Sequence, residues 1–282
     1  MKGNTKLPVV LYLLLTVVPM AAGFGYSLLY SLGLTGMMNS GFTLVHWEKL
    51  IRSGDAWSSL GYSLGLTLIS LVLAVACAFV AGWRLSMMEN GMRLYKSLFL
   101  PLTFPPLIAG FAIYYLVAPS GIVSRLFFHL GLVDGIASFP RIVNDYWSVG
   151  IVLAHLFLVF PVLALMLTHQ ANKERVKQLY DLSKTLGGTA PQFIRQVFIP
   201  LLLLRMKPVI VLYGIFLFGT YEVPLLLGRT SPRVVTVYIT EKLSRFNIED
   251  IPTGHAMAVV YTVSVLIVVR ILVDRRSWTL FR

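Results

Sequence analysis

Charge is scarce in this chain of 282 residues: Asp, Glu, Lys and Arg together make up 13% of it. Soluble domains carry about a quarter charged residues. A chain this poor in charge cannot be a water-soluble globule, because a large share of any folded surface of this size stays exposed. Cysteine is nearly absent too. The single Cys77 rules out an intramolecular disulfide, and its place in an apolar run reads as a small packed hydrophobe. The five histidines show no metal-ligand spacing, so no metal site is expected. Paired carboxylates in the apolar runs, H-E-x-x-H and G-x-S-x-G are missing, as is the phosphate loop G-x-x-x-x-G-K-[S/T]. No residue is nominated as catalytic, and the chain is expected to bind no cofactor of its own.

What the sequence has in abundance is apolar length: 57% of it is hydrophobic. A helix needs about 20 mainly apolar residues to cross a bilayer. Six stretches qualify, near 7–32, 58–82, 98–118, 147–168, 207–228 and 255–273. Turn-formers and charges separate them, among them Asn39-Ser40-Gly41, Glu89-Asn90-Gly91, Asp134-Gly135, Gly187-Gly188 and Thr230-Ser231-Pro232. The first run follows Lys2 and Lys6 but exceeds a signal-peptide core, so it reads as a retained span. No solenoid repeat and no inverted repeat emerges. The segments 33–57, 119–146 and 229–254 are too short for cores of their own. Each has room for a short interfacial helix, with Leu126, Phe127, Phe128 and Leu130 as one apolar face. Trp47, Trp57, Trp83 and Trp147 stand at span ends, where aromatics anchor at headgroup level. Gly61 and Gly65 form a G-x-x-x-G that suits a close helix contact.

The net charge of +12 would suit nucleic acid if it were spread over one surface. It is not. With the N-terminus inside, the inner segments hold 16 bases and 4 acids, and the outer segments 8 of each. The whole excess lies on one side, as the positive-inside rule requires, so both termini are expected in the cytoplasm and no nucleic-acid partner is implied.

One inner loop, 172–207, differs from the rest. Val176, Leu179, Tyr180, Leu182 and Leu186 recur at helical spacing. Gly187-Gly188 is then placed to end that helix, and Thr189 with Pro191 to start another. Phe193, Ile194 and Val197 give the second helix an apolar side, and Pro200 is expected to close it. A helix–turn–helix at the membrane face, its apolar stripe rimmed by Lys184, Gln192, Arg195 and Gln196, suits protein docking.

These residues carry a resemblance. Asp181-Leu-Ser-Lys-Thr-Leu-Gly187-Gly188-Thr, followed by Ile199-Pro200, resembles the EAA loop of type I ABC importer permeases. That pattern is Glu-Ala-Ala, three further residues, Gly, and Leu-Pro or Ile-Pro twelve residues beyond. Gly187, Val197, Ile199 and Pro200 match it; Asp181 replaces the Glu, and Leu182 and Ser183 the two alanines. Phe42-Thr-Leu-Val-His-Trp47, residues 101–110 and Gly254-His-Ala-Met-Ala258 are similar to the same family, so the likeness runs from about 42 to 270. It implies an all-α integral membrane protein of about six spans with a cytoplasmic coupling helix. It also implies an inner-membrane location, a docked cytoplasmic ABC ATPase dimer that uses the ATP, a second permease subunit and an extracytoplasmic solute-binding protein. Asp181, Lys184, Gly187, Gly188, Phe193, Ile194, Val197 and Pro200 would form the ATPase-docking element. The expected division is 1–57 for the first span and outer segment, 58–275 for the permease core, and 276–282 for a short tail. The first span is expected to pack peripherally.

Within the membrane, Pro105 and Pro106 break the third run, freeing carbonyls that favour a protein-facing or cavity-facing position. Glu222 lies near the outer end of the fifth run, where an ionisable side chain is a functional candidate by default. Thr220, Tyr221, Glu222, Pro105, Pro106 and Tyr115 are the candidate substrate path, with Glu222 paired to Arg229 or another outer base, or neutral near the interface, as the plain alternative. His155, mid-span, reads as a hydrogen-bonded packing residue. The stretch from Gly219 to Gly228 resembles polyamine and iron permeases, which implies a small cationic or polar solute. The alternative is a secondary transporter or channel not driven by ATP.

Overall fold

The computed structural model describes residues 6–37, 39, 41–88, 92–244 and 247–272. The charges Lys2, Glu89, Arg245, Asp274, Arg275, Arg276 and Arg282, the turn residues Ser40, Asn90 and Gly91, and the 276–282 tail lie outside them. Among the described residues are thirteen α-helices and no strand. In order they are α1 Lys6–Ser31, α2 Val45–Arg52, α3 Gly54–Met87, α4 Met92–Ser97, α5 Pro106–Val117, α6 Ile122–His129 and α7 Val149–Lys173. After these come α8 Val176–Thr185, α9 Ala190–Phe193, α10 Ile199–Phe218, α11 Glu222–Leu227, α12 Val235–Ser244 and α13 Ile251–Leu272. Six helical stretches are long and apolar enough to cross a membrane: Val10–Ser31, Gly54–Met87, Pro106–His129, Val149–Lys173, Ala190–Phe218 and Ile248–Ile271. The segments 33–57, 119–146 and 229–254 each hold a short helix, α2, α6 and α12.

The chain divides into two compact units, 1–61 with 235–271, and 62–234 with 272–282. In the first, α1 shows water or lipid an almost unbroken apolar surface; from Val10 to Val18 its described large hydrophobics are 50–68% exposed. Its C-terminal turns are tied down by rings. Tyr30 stacks on His255 of α13 with centroids 4.3 Å apart, and His255 Nδ1 lies 3.2 Å from Ser27 Oγ. Gly254 lets α13 approach α12, since a Cβ there would sit 2.9 Å from Lys242 Cβ.

In the second unit α7 is the central helix, burying Ile151, Ala154, Val159, Leu163, Ala164, Leu167 and Ala171. Small residues on α3 let it approach: Ala74 and Ala78 are in the core, and a Cβ on Gly82 would lie 2.1 Å from Leu167 Cδ2. Small-residue packing of this kind brings apolar helices together where lipid offers no hydrophobic drive. The G-x-x-x-G reading is corrected here, because a Cβ at Gly61 or Gly65 would meet nothing within 4 Å. Cys77 is also not packed; it is exposed on α3. Trp83, read as a headgroup anchor, is instead enclosed by Tyr180, Phe193 and Phe198.

Two runs are broken, the third at the prolines that predict a break and the fifth where the sequence reads as one continuous span. Between α4 and α5 the chain makes a 3-10 turn at Pro101–Thr103, and Pro106 then opens α5 at its first position, where a missing N–H costs nothing. The fifth run ends at Phe218, and Gly219–Tyr221 separates it from α11.

Candidate functional site

The α8–α9 loop is built outward from α7. Glu174, the C-cap of α7, accepts a hydrogen bond from Gln170 Nε2 at 3.2 Å and forms an ion pair with Arg205 of α10, Nε to Oε1 2.9 Å. Arg175 takes a left-handed conformation, φ 53°, and turns the chain into α8. The end of α8 is a Schellman motif. Gly187 N–H donates to Lys184 O at 3.0 Å and Gly188 N–H to Ser183 O at 2.9 Å, with Gly187 at φ 81°. A Cβ on Gly188 would lie 2.9 Å from Ser183 O, so the second glycine is needed for space and the first for conformation. Thr189 then caps α9, its N–H pointing at Gln192 Oε1, with Pro191 in the first turn.

Pro200 does not close a helix. Ile194–Phe198 forms a π turn, with Ile199 N–H reaching back to Ile194 O, and the helix runs on as α10. A proline ring ordinarily collides with the carbonyl four residues back; the wider turn just ahead of Pro200 makes room for it. What the sequence reads as a second short helix is the beginning of a continuous helical stretch, Ala190–Phe218.

Burial sorts the docking candidates. Phe193 and Phe198 are buried, packed with Trp83, Tyr180 and Phe79 at ring-centroid distances of 5.1–6.0 Å. Phe193 therefore holds the loop up from inside, and Ile194 and Val197 pack against the same core. The apolar residues left facing out are Leu179, Leu182 and Leu186, the last 81% exposed. Asp181 and Lys184 flank them, 3.6 Å apart and both mostly exposed, and Lys184 Nζ also lies 4.2 Å from the Tyr180 ring centroid. The helical pattern of α8 contained these leucines. Nothing local in the sequence marks Trp83 as their support.

The broken fifth run positions the other candidates. His155 is buried on α7 with Nδ1 3.0 Å from Ser70 Oγ and Nε2 3.2 Å from Thr220 Oγ1. The Thr220 hydroxyl donates to Leu217 O at 2.8 Å, so it accepts from His155 Nε2–H, and Nδ1 accepts from Ser70. Thr220 is thus turned into the protein, fastening the chain where α10 stops. Glu222 is exposed at the start of α11, and among the described residues no ion pair or hydrogen bond engages its carboxylate. The pairing with Arg229 is not made. Tyr221 is half-buried, its carbonyl accepting from Leu225 N–H. Helix α5 lies against α11, since a Cβ on Gly110 would touch Leu226 and Val223 at 3.4 and 3.8 Å. Pro105 is exposed, Pro106 half-buried, and Tyr115 is 66% exposed. The packed pair α5–α11 therefore carries five of the six path candidates, whereas Thr220 joins His155.

Residues 141–276, from the approach to α7 through α13, match the model of the binding-protein-dependent transport system inner membrane component family. Two solved structures share the fold. One is a bacterial alginate ABC transporter in complex with an alginate pentasaccharide-bound periplasmic protein. It has a TM-score of 0.76 at 14% identity, covering 95% of this chain and 91% of that one. The other is a bacterial ABC transporter involved in the import of the acidic polysaccharide alginate, with a TM-score of 0.73 at 17% identity, covering 95% and 93%. At such identities the likeness concerns the fold alone. No curated protein matches the sequence. Over residues 141–276 the chain thus carries the inner membrane component region of binding-protein-dependent transport systems, on a fold with six helices long and apolar enough to cross a membrane.

Proposed function

We propose that this permease draws its energy from a separate cytoplasmic ATPase dimer through the α8–α9 loop, and forms its pathway with a second permease subunit. The observation that carries this reading is the exposed stripe Leu179, Leu182 and Leu186, held on a glycine-closed turn over a buried aromatic cluster. Three leucines left in water on a rigid, charged-rimmed helix favour a protein partner. Asp181 and Lys184 flank that contact, and the chain itself holds no ATP. Both termini are cytoplasmic in this reading, which the basic inner segments support, and an extracytoplasmic solute-binding protein delivers the solute.

The solute meets α5 and α11. Glu222, exposed and without an internal counter-ion among the described residues, favours a polar solute that brings a cationic or hydrogen-bonding group. Nothing in the fold or the family match favours a polyamine in particular, or a carrier independent of ATP. The experiment is co-purification with the ATPase, followed by ATP-driven uptake in proteoliposomes. Leu182→Glu, which puts a charge in the middle of the stripe, is expected to abolish both ATPase association and uptake while leaving the purified chain monodisperse. Uptake by the isolated chain without ATP, or full activity of Leu182→Glu, overturns the reading.

A further inference from the structure

At the opposite end of α7 from this loop stands an arginine whose surroundings differ from those of the ion pairs among the described residues. Arg229 follows α11, and its guanidinium carbon lies 4.7 Å from the Tyr146 ring centroid and 5.1 Å from that of Tyr62. Its Nε is shielded from solvent and has no hydrogen-bond partner, and among the described residues no carboxylate pairs with it. The charge is permanent, because arginine does not deprotonate in proteins. Aromatic faces cover the guanidinium from above or below and leave its in-plane N–H donors unused. A shielded charged donor without an acceptor is costly.

The mount is built rather than incidental. Tyr62 hydrogen-bonds Ser148, the residue ahead of α7. Asp145 Oδ2 accepts from Val149 N–H at 3.0 Å, spending that oxygen on the helix start; its Oδ1 is buried and unpartnered. Asn144 N–H donates to Leu227 O at 3.0 Å, joining the loop that bears Tyr146 to the end of α11. Gly228 then turns the chain so tightly that a Cβ would lie 2.3 Å from Pro224 O. Two rings and one guanidinium are thereby held in register by side-chain and backbone bonds, while Tyr146 itself and the adjacent Trp147 are 73% and 80% exposed.

We propose that Arg229, bracketed by Tyr62 and Tyr146, is a binding site for an oxyanion, a phosphate or carboxylate that takes the in-plane fork of the guanidinium. The fork matches those groups two bonds at a time, a fit that lysine lacks. The oxyanion comes from a phospholipid headgroup, which the exposed Tyr146 and Trp147 would meet at the interface, or from an anionic solute free in water.

The full chain in nanodiscs separates the two. In one arm, native mass spectrometry measures phosphatidylglycerol retained from a mixed bilayer with phosphatidylcholine. In the other, equilibrium dialysis measures labelled inorganic phosphate and glutarate bound in pure phosphatidylcholine. Wild type is expected to bind in at least one arm about tenfold more tightly than Arg229→Gln, with Arg229→Lys between them. Retention of phosphatidylglycerol alone assigns a headgroup site. Free-anion binding assigns a solute site and redirects the cationic preference drawn from Glu222. Tyr146→Leu, at an exposed position, is expected to weaken the same binding and serves if Arg229→Gln does not fold. Equal binding by wild type and these variants in both arms overturns the site, as does no binding by wild type in either.

Discussion

Replacing Gly187 by valine acts on the backbone alone. Gly187 has φ 81°, and a Cβ added there would meet nothing within 4 Å, so no neighbour resists the side chain. The cost lies in the left-handed conformation, about 1–2 kcal/mol for an L-residue and more for a β-branched one. The chain can escape only by opening the turn, which forfeits the bonds Gly187 N–H to Lys184 O and Gly188 N–H to Ser183 O. Those two are worth about 0.5–1.5 kcal/mol each, so escape saves little. Either route lowers the population of closed turns by a factor of roughly 5–30. Because the turn sets the direction in which Leu182 and Leu186 point, coupling is expected to fail while the membrane core stays folded. The assay is ATP-driven uptake in proteoliposomes together with co-elution of the ATPase. Gly187→Asn, which tolerates the left-handed region, should stay near wild type. Full uptake by Gly187→Val, or equal damage from asparagine and valine, refutes the reasoning.

Three further outcomes follow from the packing described. Gly82→Ala drives a Cβ to 2.1 Å from Leu167 Cδ2, and should cost about 1–3 kcal/mol in thermal unfolding of the solubilised chain. Leu167→Ala in the same chain should recover part of that loss; strictly additive effects would show that the two do not meet. His155→Leu removes the ring bonded to Ser70 and Thr220, and should lower stability by about 1–3 kcal/mol, with an unchanged midpoint counting against the buried pairing. Glu222→Gln keeps the shape and removes the charge, and should cut uptake of a cationic solute about tenfold; undiminished uptake removes Glu222 from the path.

The spans were readable because a bilayer asks only for apolar length, and hydropathy is local. The end of α8 was readable for a similar reason: a glycine pair after a periodic stretch states its conformation in the residues themselves. The breaks were harder. Gly219–Tyr221 interrupts an apolar run without a proline of its own, and what fastens it is His155, 65 residues away in sequence. Pro200 looked like a stop because a proline normally is one, and only the π turn ahead of it shows how the helix continues. Trp83 illustrates the same limit. Its position at a span end fits a headgroup anchor, yet its ring is packed between Tyr180 and Phe198, contacts set by tertiary structure.

The π turn at Ile194–Phe198 also fixes an angle. A bond from Ile199 N–H to Ile194 O closes a turn one residue wider than the α-helical one. One residue of α-helix is about 100° of rotation about the axis. Along the stretch Ala190–Phe218, that extra residue decides which compass bearing Phe193 has relative to Met206 and Leu217. Deleting a single residue inside the turn would keep the helix, and even improve its hydrogen bonding, while swinging Phe193 away from Trp83 and Tyr180. The loop and the membrane half of this helix are thus clocked against each other by one wide turn, much as a keyway sets a gear on its shaft.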